Sequence, residues 1–147
     1  MFFIAHRGNI SGPNQKEENK IDYLLNAINL KFQVEVDLWF QKDKFYLGHD
    51  EPLYEIKLDF FNKENFWIHA KNLQCFYELR KHDLNFFWHE EDKVVLTSKG
   101  YFWNYPGTKL SKNSICVLPE KNDEKNLDCA GICSDFIKDY YDRYNNI

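Results

Sequence analysis

No apolar run in this chain approaches the ~20 residues that a membrane-crossing helix needs, so no membrane span is expected. No C-x-x-C pair is present either. The four cysteines, Cys75, Cys116, Cys129 and Cys133, are too few for a disulfide framework, and reduced, mostly buried thiols are expected. Positive charge is not in excess: 19 Lys and Arg stand against 23 Asp and Glu, for a net charge of −4. That argues against the basic face of a general nucleic-acid binder, so no nucleic-acid polymer is expected as a partner. It does not exclude a phosphate-bearing small molecule, because a bound cation and a few local Lys or Arg residues reverse the field inside a cleft. Arginine is scarce, and Arg7 is one of three. Met1-Phe2-Phe3-Ile4-Ala5 runs straight into His6-Arg7, too short for a secretory leader, so a cytoplasmic location is expected. Repeats and low-complexity segments are missing too. What remains is 147 residues, read as a single domain over 1–147 with enough chain to bury a core; an oligomer stays open.

Phe2 to Ala5 reads as a short buried strand that ends at His6. Asn9 to Asn19 holds Gly12, Pro13 and Asn14 and reads as a loop. Lys20 to Leu30 suits a helix, with Leu24, Leu25 and Ile28 on one side and Asn19 as its cap. Gln33 to Phe40 alternates as a strand, placing Val34, Val36 and Leu38 on one face and Glu35, Asp37 and Trp39 on the other. Gln41 to Lys44 is a turn, and Phe45 to Gly48 returns as a strand that delivers His49. Phe66 to Ala70 is a strand, Leu73 to His82 a helix, and Asn85 to Trp88 a further strand. Beyond that the connections are too short for parallel crossovers, which need about a dozen residues. Lys93 to Ser98 is therefore a hairpin return or an irregular link. Tyr101 to Tyr105, Ser114 to Leu118 and Ala130 to Ser134 complete the strands, and the tail from Asp135 to Ile147 is expected to be helical in part.

Three short segments concentrate chemistry: His6-Arg7-Gly8, Glu35-Val36-Asp37 and His49-Asp50. Glu35 and Asp37, two apart on one strand, leave the same face and can share a divalent cation. The bland reading of such a pair is a solvated strand face. Histidine moves protons near neutral pH, so His6 and His49 suit an acid/base pair beside the carboxylates. His89, Glu90 and Glu120 also fall at strand ends. Trp39, Trp88, Trp103 and Tyr105 are candidates for a cavity mouth, although packing is the default in a chain that is 18% aromatic.

In order and spacing these segments resemble the glycerophosphodiester phosphodiesterase family, in which an HRG strand end is followed by a Glu-Asn element, an E-x-D strand and an HD dipeptide. Here these are His6-Arg7-Gly8, Glu18-Asn19, Glu35-Val36-Asp37 and His49-Asp50; a slip of one would put Glu17 in place of Glu18. Gly131-Ile132-Cys133-Ser134-Asp135-Phe136 is similar to the G-I-x-T-D-aromatic sequence that closes barrels of this family. The resemblance implies an α/β fold, a TIM-type (β/α) barrel. Since such barrels typically take about 250 residues, this one must be compact and reduced, with several outer helices shortened or missing. It implies a metal-dependent phosphodiesterase acting on a small-molecule phosphodiester, with His6 and His49 catalytic and one divalent ion on Glu35 and Asp37. Arg7, Lys71 and Glu18 would contact substrate or phosphate. The family usually carries a metal-binding Glu two residues before its Lys, where this chain has His69 before Lys71. Two carboxylates suit Mg²⁺ or Ca²⁺, and an imidazole ligand at His69 admits Mn²⁺; His69 could instead act through water or on the phosphate. Attack by a substrate hydroxyl to give a cyclic phosphate, and a non-catalytic phosphate-binding barrel, are the alternatives.

Overall fold

A computed structural model of the chain describes residues 1–62, 64–124 and 127–146. In chain order its elements are β1 (Phe2–His6), α1 (Ile21–Asn29), β2 (Gln33–Gln41), β3 (Lys44–Leu47), β4 (Tyr54–Ile56), β5 (Phe66–Ala70), α2 (Leu73–Leu79), β6 (Phe86–Phe87), β7 (Val94–Leu96), β8 (Phe102–Asn104), β9 (Ser114–Val117), β10 (Gly131–Ser134) and α3 (Ile137–Asn145). Short 3-10 turns cover Leu58–Phe61 and Pro119–Lys121.

The parallel strands lie side by side in the order β6-β5-β2-β1-β10-β9-β8. Chain order thus runs one way across the sheet, and the two chain ends meet at the β1–β10 ladder. β2 continues past its parallel partners and turns back at Lys42-Asp43. Both of these residues have positive φ (50° and 59°), as a two-residue hairpin loop with the right twist requires. β3 and β4 return antiparallel from that turn. Lys93 to Ser98 resolves as a hairpin: β7 pairs antiparallel with β8. The continuous ladder stops at β6 on one side and β7 on the other. Ser98 ties the two ends: its N–H donates to Phe86 O (2.8 Å), and its Oγ accepts from Phe86 N (3.0 Å) and donates to Leu84 O (2.8 Å). The fold shown is therefore a curled mixed α/β sheet with few helices.

Strand alternation splits the apolar residues into two layers. Val34, Val36, Leu38, Ile68, Ala70 and Ile132 pack with Leu24 and Ala27 of α1, Cys75 and Leu79 of α2, and Ile137 and Tyr140 of α3. The opposite set, Ile4, Trp67, Phe87, Trp103, Ile115, Val117 and Cys133, forms a second buried cluster. Strands buried on both faces explain the near-continuous apolar runs such as Phe2–Ala5. α1 begins with Lys20 at its cap and no side-chain capping bond, so the expected Asn19 cap is corrected; Asn19 has another task, described below. Asn72 does cap α2, its side chain accepting from Cys75 N. The four cysteines are free, and three of them are buried. Among the described residues no helix is long and apolar enough to cross a membrane.

Candidate functional site

Five residues of the second cluster share a pattern. Two positions after each of them, the same strand or its end delivers a polar side chain: Ile4 then His6, Trp67 then His69, Phe87 then His89, Trp103 then Tyr105, Cys133 then Asp135. All five polar residues line one cavity of about 560 Å³ at the C-terminal ends of the parallel strands. Arg7, Glu18, Glu35, His49, Lys71, Glu90 and Lys121 line it too. Its size suits a small molecule.

Glu35 and Asp37 reach the site from β2, and both are buried. Asp37 Oδ2 accepts from Asn19 Nδ2 (2.9 Å) and faces Arg7 Nε (3.0 Å), while Asp37 N donates to Asn19 Oδ1 (2.9 Å). Asn19 is thus a two-point clamp on Asp37, made possible by its own left-handed backbone (φ 63°). Asp37 Oδ1 is buried without a hydrogen bond, 3.2 Å from His69 Nδ1 and 3.4 Å from Lys71 Nζ. Glu35 Oε2 accepts from the backbone N–H of Arg7 (3.2 Å), and Glu35 Oε1 lies 4.0 Å from His69 Nδ1. Gly8 follows Arg7 at φ +88°, where a Cβ would press on the Tyr23 ring, so the turn that aims Arg7 N at Glu35 is built on glycine.

Glu35, Asp37 and His69 each offer a ligand atom within 4.8 Å of the others, close enough to hold a metal ion. The free Asp37 Oδ1, Glu35 Oε1 and His69 Nδ1 face one another at 3.2 and 4.0 Å. Donors set at right angles around an ion with bonds of about 2.1 Å stand roughly 3 Å apart. Electrostatics agree with this donor set. Burial, then the Asp37 charge, push the Glu35 pKa upward against the pull of His6, Arg7 and Lys71. At Asp37 burial is overcome by the His69 contact and by Arg7 and Lys71, so its pKa falls below the usual carboxylate range. Glu18, Glu35, Asp37 and Asp135 surround Arg7 and Lys71, and Glu90 and Lys121 add one charge of each sign to the lining.

His6 Nδ1 lies 2.7 Å from Asp135 Oδ1, and His6 Nε2 faces Glu35 Oε2 at 4.0 Å. Burial works against the imidazolium, but the Asp135 hydrogen bond and the Glu35 charge outweigh it and raise the His6 pKa. Asp135 is itself held: its Oδ1 accepts from Asn9 Nδ2 (2.8 Å), and its N–H donates to Glu120 (3.1 Å). His49 arrives by a different route from the other residues. It follows the antiparallel β3, whose return brings Gly48 N to Asp37 O (3.1 Å) and sets His49 on the rim, half-exposed, with Nδ1 2.7 Å from Asp50 Oδ1. Trp39 Nε1 donates to Gly48 O (2.6 Å) and pins this loop.

The structure brings every expected site residue to the one cavity, with Asp37 beneath its lining. Glu18, not Glu17, is the carboxylate there: it accepts from Arg7 Nη1 (3.2 Å) and Asn9 Nδ2 (2.8 Å), while Glu17 pairs with Lys20 at the surface. Glu18 braces Arg7 and stands apart from the Glu35–Asp37–His69 group. Of the aromatic candidates, Trp103 and Tyr105 line the cavity, whereas Trp88 packs against Phe76. Sequence reasoning underrated Asp135, His89 and Tyr105; the apolar-x-polar spacing at each strand end was their common signal. Nothing in the sequence singled out the buried Asn9, which links Glu18, Asp135, Tyr23 and the backbone of Asn14. Protein-family models, curated proteins and solved structures, each compared with the chain, yield no match.

Proposed function

We propose that the chain is a cation-dependent phosphodiesterase built on a reduced TIM-type (β/α) barrel, as its resemblance to the glycerophosphodiester phosphodiesterase family implies. One observation carries the reading: two histidines, a buried carboxylate pair, an arginine and a lysine gather on one small-molecule cavity at the strand ends. Barrel active sites form at that end. The strand order and the Ser98 tie between β6 and β7 support the barrel.

Bound between Glu35, Asp37 and His69, a divalent ion would polarise the phosphate and stabilise charge on its oxygens. The carboxylates suit Mg²⁺ or Ca²⁺, and the imidazole admits Mn²⁺. Arg7 and Lys71 hold the phosphate from the same wall. His6, its Nδ1 tied to Asp135 and its pKa raised, passes a proton from Nε2 to the leaving alkoxide. His49, with Nδ1 against Asp50, takes the proton of the attacking hydroxyl at its other nitrogen.

Phosphorus NMR of a panel of diesters with Mg²⁺, Mn²⁺ and Ca²⁺ tests this. The parent should cleave at least one, and the first product, cyclic or open, identifies the attacking hydroxyl. His6→Ala and His49→Ala should each lower turnover by roughly 10² or more. On a nitrophenyl diester, whose leaving group needs no proton, His6→Ala should recover most of its rate and His49→Ala should not. Near-normal rates for both variants on every diester the parent cleaves contradict the assignment.

A further inference from the structure

Glu35 and Asp37 are fixed by hydrogen bonds to Arg7 N and Asn19, but His69 is fixed differently. Its polar contacts to Asp37 and Glu35 both run through Nδ1, the nitrogen that would face a cation. The plane of its ring is set by stacking. Phe87, its register partner on β6, lies parallel to it at 4.9 Å and 13°, and His89 lies parallel at 4.7 Å and 10°. His89 is held in turn by Tyr105, whose Oη is 2.6 Å from His89 Nε2 and whose ring leans on it at 4.9 Å. Tyr105 follows β8, so this chain of contacts spans the gap where the sheet's ladder is interrupted. Rotation about the last torsion of a histidine is only broadly restrained by its own geometry. A ligating ring therefore needs outside partners to aim its lone pair, and such partners commonly govern metal affinity by 10- to 100-fold.

We infer that His89 and Tyr105 are positioning residues for the cation site: they hold the His69 ring in the plane that aims Nδ1 at Asp37 and Glu35. The inference rests on the cation reading above. It assigns a role to the aromatic pair that bridges β6 and β8.

Co²⁺ titrated into the full chain is the probe, because its visible absorption reports the ligands around it. Tyr105→Phe removes one hydroxyl and keeps the ring. It should weaken Co²⁺ binding about tenfold and alter the visible band. His89→Phe, which keeps a stacking ring, should retain more affinity than His89→Ala. In a His69→Glu background the ring to be positioned is gone, so Tyr105→Phe should change affinity by no more than about twofold. Unchanged binding and spectrum in Tyr105→Phe overturn the inference. So does an equal loss in both backgrounds, which would mean that Tyr105 merely supports the fold. A parent chain that binds Co²⁺ without regard to Tyr105 leaves the cation reading standing, whereas a parent that binds no Co²⁺ removes both.

Discussion

Glu35 and Asp37 are chemically similar neighbours on one strand, yet their environments drive them apart. Asp37 is fully buried against Arg7, Lys71, His69 and Asn19, and it stays ionised. Its folded-state pKa is depressed, so it contributes stability above the ordinary aspartate range and loses it as pH falls. Removing its charge takes the carboxylate from Lys71 and leaves Arg7 with Glu18 alone, and Asp37→Asn should cost about 3 kcal/mol at neutral pH. Glu35 has the opposite sign. Its pKa is raised by burial and by Asp37, so it favours the fold below the ordinary glutamate range and that contribution disappears as pH rises through the raised value. In the absence of metal, Glu35→Gln should therefore match or exceed the parent in stability at pH 8, by up to roughly 2 kcal/mol. The advantage should vanish towards pH 4. Thermal melts in chelator at the two pH values check both statements; equal destabilisation by both variants would contradict them. At this scale the sequence was informative about Glu35, Asp37, His6 and His69, because strand alternation dictates which side chains share a face. It was silent on Asn9 and Asn19, because an amide that braces a carboxylate looks like any loop asparagine until the loop is folded.

Among the elements, the antiparallel β2–β3 hairpin does the most for the site. β2 overshoots its parallel neighbours, turns at Lys42-Asp43, and returns to place His49 above Asp37. Gly48 makes the final bend at φ +148°, where a Cβ would fall on the carbonyl oxygen of Glu51. Gly48→Ala must displace the loop that carries His49. It should lower turnover by about 10², close to the loss in His49→Ala. Loop displacement should cost only about 1 kcal/mol of stability, since the strands keep their ladders. Steady-state kinetics beside a denaturation curve test this, and a Gly48→Ala chain with parental turnover would mean that His49 has no catalytic part. The HD dipeptide and the returning strand before it were legible; the bond that seats Gly48 N on Asp37 O was not, because so short a strand does not reveal its register. Likewise β4 and the 3-10 turn at Leu58–Phe61 went unread, since three- and four-residue elements carry too little periodicity.

Across the whole molecule, a curled sheet carries few helices. Three helices, α1, α2 and α3, cover β1, β2, β5, β6 and β10, while β8 and β9 follow each other without a described helix. The short connections after Trp88 were legible in the sequence as too short for a helical crossover. Where the sheet would close, aromatic rings and Ser98 bridge the gap instead, and no local pattern announces a contact between β6 and β8. The proposed chemistry depends on a cation at Glu35, Asp37 and His69, which lie close enough together to hold one. Because Glu35→Gln should leave the fold intact, it isolates that claim. The most direct measurement is turnover of a phosphodiester by chelator-stripped protein, before and after Mn²⁺ or Mg²⁺ is restored, in the parent and in Glu35→Gln. The account requires that the stripped parent be inactive, that the ion restore it, and that Glu35→Gln stay at least about 10² slower with the ion present. Cleavage by the stripped parent at the full rate, or full restoration of Glu35→Gln, would contradict it.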